Sequence, residues 1–183
     1  DEVHIANGEF VFEEKDVISI VAATRKAGEF FRKIKYKMNS VKDVMVVGGG
    51  EIGHYLCEQL IRSGMSVKLI EKDSARCETL CATLDDGVAV INGDASDQNI
   101  LVESGLEQTG AFVALTNLDE ENILLSLFAK SVCDCKCVTK INRIGFDNVI
   151  SKLDLDTIIN PKSITSDTII RYVRAMNSSR GSN

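Results

Sequence analysis

The chain has 183 residues, 44% of them hydrophobic, with one proline and a formal net charge of −6 at pH 7. That length suits one ordinary domain, or one domain with a fragment of another, and the composition is that of a globular chain with a buried core. A pI near 5.0 speaks against nucleic-acid backbone binding as a main task; without a membrane-length apolar run or a signal-peptide pattern, a soluble chain with a small-molecule or protein partner is expected.

In chain order, Val3 to Ile5, Glu9 to Phe12 and Val17 to Ala22 read as strands joined by Asn7-Gly8 and Glu13 to Asp16. Such a piece, residues 1–27, is too small to form its own core. Residues 28–40 read as a linker helix, opening on the basic and aromatic run Gly28-Glu29-Phe30-Phe31-Arg32-Lys33-Ile34-Lys35-Tyr36-Lys37. Its cations either face water or meet an anionic membrane surface.

From Asp43 to Met176 short apolar strands alternate with helical patterns, the signature of a parallel sheet covered on both faces. Strands are expected at Asp43 to Val47, Ser66 to Ile70, Ala89 to Asn92, Ala111 to Leu115, Cys137 to Ile141 and Thr157 to Asn160. Helices are expected at Ile52 to Arg62, Ala75 to Leu84, Ile100 to Ser104, Glu120 to Val132, Asp147 to Leu153 and Ile164 to Arg174, with Ser74 and Asp97 as N-caps. The expected class is α/β, a Rossmann-like, doubly wound, six-stranded parallel sheet over residues 41–176. Residues 177–183 read as a linker cut short.

The run Val44-Met45-Val46-Val47-Gly48-Gly49-Gly50-Glu51-Ile52-Gly53 has the form of a first strand and a phosphate-cradling turn. Gly48 permits the tight turn, Gly50 lets the backbone approach a pyrophosphate, and Gly53 lets the helix pack on the sheet. The anion then rests on the free N–H groups of Glu51, Ile52 and Gly53 at the helix start. Glu71 ends the second strand where a ribose-hydroxyl acceptor is wanted, which favours NAD over NADP; the neighbouring Lys72 weakens that preference, and a plain loop acid is the alternative. Glu51 places negative charge inside the turn, which argues against ATP and for a dinucleotide or a monophosphate.

Later strand ends are polar as well. In Gly93-Asp94-Ala95, Asp94 serves either as an acceptor for an adenine amino group or as turn chemistry. Thr116 and Asn117 end the fourth strand within reach of a ribose or phosphate, and Lys140 or Arg143 offsets pyrophosphate charge or stays on the surface. His4 and His54 are far apart, and no acid–base constellation or substrate domain is evident. A binding module is therefore expected rather than an enzyme, the alternative being the cofactor domain of an NAD-dependent oxidoreductase.

Six cysteines form no paired framework, so free thiols in a reduced protein are expected and no metal. Cys133, Cys135 and Cys137 nonetheless alternate, and on an extended segment alternate side chains share a face.

The glycine turn, Glu71, Gly93-Asp94-Ala95, Thr116 through Asp119-Glu120 to Asn122, and Ile159-Asn160-Pro161 together resemble the TrkA N-terminal domain family, also called RCK or KTN. The resemblance covers Val41 to Met176, and residues 1–27 look like the tail of the small lobe that follows such a domain in a tandem arrangement. It implies a cytoplasmic regulatory subunit of a Trk-type potassium uptake system, peripheral at the inner face of the membrane, which pairs or assembles into rings and senses NAD, NADH or alternatively AMP, ADP or ATP. Carried over by the resemblance, Gly48, Gly50 and Gly53 form the phosphate turn, Glu71 the ribose acid, Asp94 the adenine side, Thr116 and Asn117 the pocket floor, and Arg76 a cation near the adenosine. The family supplies no role for Cys133 to Cys137.

Overall fold

The computed structural model describes residues 5, 8–14, 16, 20, 22–35, 41–143, 150 and 152–180. The chain divides into two compact units, residues 1–40 and 41–183.

In the first unit, helix α1 runs from Thr24 to Lys33. It begins earlier than the linker helix expected from Gly28 and ends sooner. Gly28 sits within it with open space around its α-carbon, at a cost of about 1 kcal/mol that a helix tolerates. Lys35, at φ 55°, turns the chain out of the helix. Phe10 to Phe12, expected as part of a strand, carries no regular structure. The other two expected strands lie largely outside the described residues.

The second unit is a six-stranded sheet of order β3-β2-β1-β4-β5-β6 in which every pairing is parallel. The strands are β1 Asp43–Val47, β2 Ser66–Glu71, β3 Val88–Asn92, β4 Ala111–Ala114, β5 Lys136–Lys140 and β6 Thr157–Ile159. The helices are α2 Glu51–Arg62, α3 Ser74–Thr83, α4 Gln98–Glu103, α5 Asp119–Val132 and α6 Pro161–Arg180, with a short 3₁₀ turn at Leu106–Gln108. All six expected strands are present within one residue at each end.

Alternation along the strands sends side chains to two cores. Met45, Val47, Phe112 and Ala114 pack on one face with Leu101, Leu125 and Ala129. Val44, Val46, Val113 and Leu115 pack on the other with Cys57 and Leu80. Both faces of the central strands are therefore dry, and the chain order reverses at the gap between β1 and β4, where ligands of such sheets bind.

Three local readings need correction. The N-cap of α3 is Asp73, whose carboxylate accepts from the Arg76 N–H at 2.7 Å; Ser74 is the first helical residue. Asp97 caps α4 as expected, accepting from Asn99 N at 3.0 Å. Helix α6 starts at Pro161, suited to a first helical position, and continues to Arg180, because nothing between Met176 and Gly181 breaks it. The helix expected over Asp147 to Leu153 lies largely outside the described residues. The thiols of Cys133 and Cys135, expected to be free, are joined as a disulfide, whereas Cys57, Cys77, Cys81 and Cys137 are free. Among the described residues no helix is long and apolar enough to cross a membrane.

Candidate nucleotide site

At the carboxyl ends of the strands lies a cavity of about 350 Å³, lined on one side by Ile70, Glu71, Lys72, Gly93, Asp94 and Ala95 and on the other by Leu115, Thr116, Asn117, Leu118 and Glu121. Val47, Gly48 and Gly50 form its floor between the two walls. Its size falls in the range of small-molecule pockets.

The floor is built by backbone constraints. Gly48 takes φ 104°, and a Cβ there would lie 2.9 Å from the carbonyl carbon and oxygen of Leu115. Its N–H donates to the Ile70 carbonyl at 2.9 Å, tying the turn to β2. A Cβ on Gly53 would run into the Gly48 carbonyl oxygen, so α2 packs directly on the turn. Gly49 is less strictly constrained: a Cβ there would meet Leu80 Cδ1 at 2.5 Å, the movable end of a side chain. Gly50 differs: it is the N-cap of α2 at φ −64°, and nothing in the chain lies within 4 Å of where its Cβ would be. The first N–H groups of α2 have no partner within the helix, and Gly50 leaves the approach to them open.

Glu71 holds the turn from β2. Its Oε2 accepts from Gly49 N at 2.7 Å and its Oε1 from Asp73 N at 2.9 Å. Each oxygen has a second lone pair, so the carboxylate keeps capacity for a ribose hydroxyl. Asn92 Nδ2 donates to the carbonyls of Glu71 and Lys72 at 3.1 Å each, fixing the loop behind. Asp94 Oδ1 accepts from the Ser96 hydroxyl at 2.7 Å and from its N–H at 2.9 Å; those bonds hold the carboxyl below the usual range. Turn chemistry and a place in the cavity wall thus coexist at Asp94.

Arg76 lies outside the cavity wall and reaches back over the turn. Its Nε donates to the Gly49 carbonyl at 2.7 Å and its Nη2 pairs with Glu51 at 3.4 Å. The Glu51 side chain is 76% exposed, so its charge is largely screened.

The opposite wall rests on a buried polar network that the sequence did not reveal. Asn122, fully buried, accepts from Thr116 N at 2.8 Å and donates to the carbonyls of Thr116 and Lys140 at 3.1 and 3.0 Å. Lys140, buried, donates to the Leu115 carbonyl at 3.0 Å, and burial lowers its ammonium's affinity for the proton. Asp119, also buried, accepts from the backbone N–H groups of Asn142 and Arg143 at 2.9 Å and from Asn142 Nδ2 at 3.0 Å. Burial pushes its carboxyl up, and these bonds more than offset it, leaving it below the usual range. The Thr116 hydroxyl turns to the backbone of Leu118 at 3.2 Å rather than outward.

Of the residues expected at the site, Gly48, Gly50, Glu71, Lys72, Gly93, Asp94, Ala95, Thr116 and Asn117 line the cavity. Glu51, Ile52, Gly53, Arg76 and Arg143 do not. Ile52 is exposed on α2, Gly53 is buried beneath the turn, and Arg143 pairs with Glu120 at 3.6 Å on the surface. Glu121 lines the cavity without having been expected there; a first-turn acid reads the same whether it faces a ligand or only the helix dipole. Lys140 faces Leu115 rather than the cavity. His54 is half-buried on α2 and stacks on Tyr55 at 5.7 Å between ring centroids.

Residues 44–161 match the TrkA-N domain family. The chain is 34% identical over 167 residues to the Trk system potassium uptake protein TrkA of Haemophilus influenzae, covering 91% of this chain and 36% of that protein. It is 33% identical over 170 residues to the TrkA of Halomonas elongata, covering 93% and 37%. The chain thus spans about a third of the length of the curated relatives it matches. The fold is similar to the TrkA-N domain of the inner membrane protein YbaL from Escherichia coli, at TM-score 0.64 and 18% identity over 74% of this chain and 98% of that one. It is also similar to the GsuK channel bound to NAD, at TM-score 0.56 and 15% identity over 73% of this chain and 25% of that one. A glycine turn, an acid-ended second strand and a cavity at the sheet's switch point coincide with a match over most of the chain: the protein belongs to the TrkA-N domain family.

Proposed function

We propose that this chain is the nucleotide-sensing unit of a cytoplasmic regulatory subunit of a Trk-type potassium uptake system, and that its cavity takes NAD or NADH. The observation that carries this reading is the arrangement at the switch point: Gly50 leaves the start of α2 open to a phosphate while Glu71, braced by two N–H groups, stands at the end of β2. A pyrophosphate sits over the turn, the adenosine ribose on Glu71, and the second nucleoside along Thr116 to Leu118. Charged residues lining the cavity are Glu71, Asp94 and Glu121 against Lys72, a balance that disfavours the extra charge of ATP and of a 2′-phosphate. AMP and ADP remain the competing occupants. One solved channel of this fold is described as bound to NAD.

The partner is a membrane potassium transporter subunit, which the names of the relatives support. Residues 1–27 read as the tail of a preceding lobe, so this chain holds the end of one unit and the nucleotide domain of the next in a tandem that pairs or closes into a ring. Ile164, Ile169, Ile170, Tyr172 and Val173 stand about half exposed on α6, which suits burial against another subunit. Regulation is a population shift: the ligand binds two arrangements of paired units with different affinity and biases the pore by that difference. A ligand binding both arrangements equally shifts nothing. The test is potassium flux in vesicles carrying the complete regulator and its pore subunit. NAD and NADH are expected to change flux at concentrations that saturate binding; saturation of the complete protein with no change in flux contradicts the reading.

A further inference from the structure

At the other end of the sheet, the loop from α5 to β5 holds the three alternating cysteines. Cys133 closes α5 as its C-cap, and Cys135 lies just before β5 begins at Lys136. Their α-carbons are 5.3 Å apart, within the span that a disulfide bridges. Cys137, within β5, is fully buried, with its sulfur 3.9 Å from that of Cys135. Beside them opens a second cavity, of about 310 Å³, lined by Lys130, Cys133, Cys135, Lys136 and Asp156 among others.

We propose that Cys133 and Cys135 form a reversible dithiol–disulfide site, oxidised by small disulfides of the glutathione class and reopened by dithiols, with Cys137 held out of the exchange. Both states have a place in the fold. As a thiol, Cys133 can donate to the Ala129 carbonyl at 3.3 Å. As a disulfide, the bond spans residues 133–135, which carry no regular structure, so opening or closing it leaves the β5 ladder intact. Cys133 is half-buried and borders the open cavity, which makes it the point of entry. Its thiolate attacks one sulfur of the small disulfide, whose other half leaves as a thiol after taking a proton. The Cys135 thiolate then attacks the Cys133 sulfur, forming the internal bond and releasing the second small thiol. Two protein thiols are oxidised and one small disulfide is reduced to two thiols.

The other cysteines are poor competitors. Burial pushes the Cys137 and Cys57 thiols up to about 11 and raises Cys77 as well, so their thiolates are scarce at neutral pH. Cys81 is exposed on α3, one turn beyond the buried Cys77, and is removed from the test by Cys81→Ser. The pair is read after equilibration rather than by its initial rate. A disulfide that forms and opens in this way is the sensing kind found in reducing compartments, not a structural staple.

The test uses the full chain with Cys81→Ser, equilibrated under native conditions in glutathione buffers from reduced to oxidised, then acid-quenched, denatured, alkylated and digested with trypsin. Cleavage after Lys130, Lys136 and Lys140 puts Cys133 and Cys135 in one peptide and Cys137 in the next. The first peptide is expected to pass in one two-electron step from doubly alkylated to an unalkylated internal disulfide, two hydrogens lighter than the free dithiol peptide. Dithiothreitol should reverse it, and the Cys137 peptide should remain alkylated throughout. Double alkylation at the oxidising end, a cross-link to the Cys137 peptide or to a second chain, or glutathione retained on Cys133 or Cys135 overturns the proposal.

Discussion

Gly48 and Gly50 stand two residues apart in one turn and answer to different demands. Gly48 is required by the chain itself: alanine there combines a left-handed φ with a backbone clash at Leu115, at an expected cost of about 2–4 kcal/mol. Thermal unfolding of Gly48→Ala is expected well below that of the parent. Gly50→Ala meets no atom of the protein, so its unfolding temperature should stay within about 2 °C while nucleotide affinity falls at least about tenfold. Equal loss of affinity and stability at Gly50 would remove the distinction. Glu71 mixes the two demands. Glu71→Ala removes the acceptor of the part-buried Gly49 N–H and of the exposed Asp73 N–H, costing about 1 kcal/mol, so lost binding in that variant also reports a loosened turn. Glu71→Gln keeps one carbonyl oxygen and the side chain's length and is the cleaner probe; melting curves of the two variants should differ in that order. The spacing of the sequence made Gly48, Gly53 and Glu71 legible. Gly49 was not, because its constraint comes from Leu80, which only the packed structure brings close.

At the scale of elements, the wall formed after β4 is fixed to the end of β5 through α5. Asn122 makes its three bonds from a fully buried position. Asn122→Asp keeps the shape but turns two donated bonds into contacts between a carboxylate oxygen and carbonyls, and is expected to cost about 2–5 kcal/mol, measured by denaturant unfolding. Asp119 sets an acid limit. Its carboxyl is held low in the folded chain, so as the pH falls the unfolded chain takes up that proton first, near pH 4. The stability it contributes is complete above that range and is lost as the pH drops through the folded value; Asp119→Asn should flatten this part of the acid unfolding curve. Neither role was legible in the sequence, where Asp119 and Asn122 stood only within the segment that carries the family resemblance. Strand positions were legible because continuous apolar runs between turn residues leave a parallel sheet few alternatives. The start of α1 before Gly28 and the extension of α6 to Arg180 were not, since helix ends depend on caps and packing more than on period.

For the whole molecule, a sheet whose order reverses beside a glycine turn places the two cavity walls on separately braced halves. The left half rests on Glu71 and Asn92, the right on Asn122, Lys140 and Asp119. The proposed preference for NAD or NADH rests on a dinucleotide spanning both halves where a mononucleotide touches chiefly one. Helix α6 carries the assembly prediction: Ile169→Asp with Tyr172→Asp should lower self-association in sedimentation without lowering the unfolding temperature, because both side chains are more than half exposed. Calorimetric titration of the folded chain with NAD, NADH, AMP, ADP and ATP, repeated on Gly50→Ala, tests the central claim most directly. Saturable binding of NAD or NADH, at least about tenfold tighter than ATP and lost in Gly50→Ala, is the predicted result; no binding of any of the five by folded protein would contradict a nucleotide site in this unit.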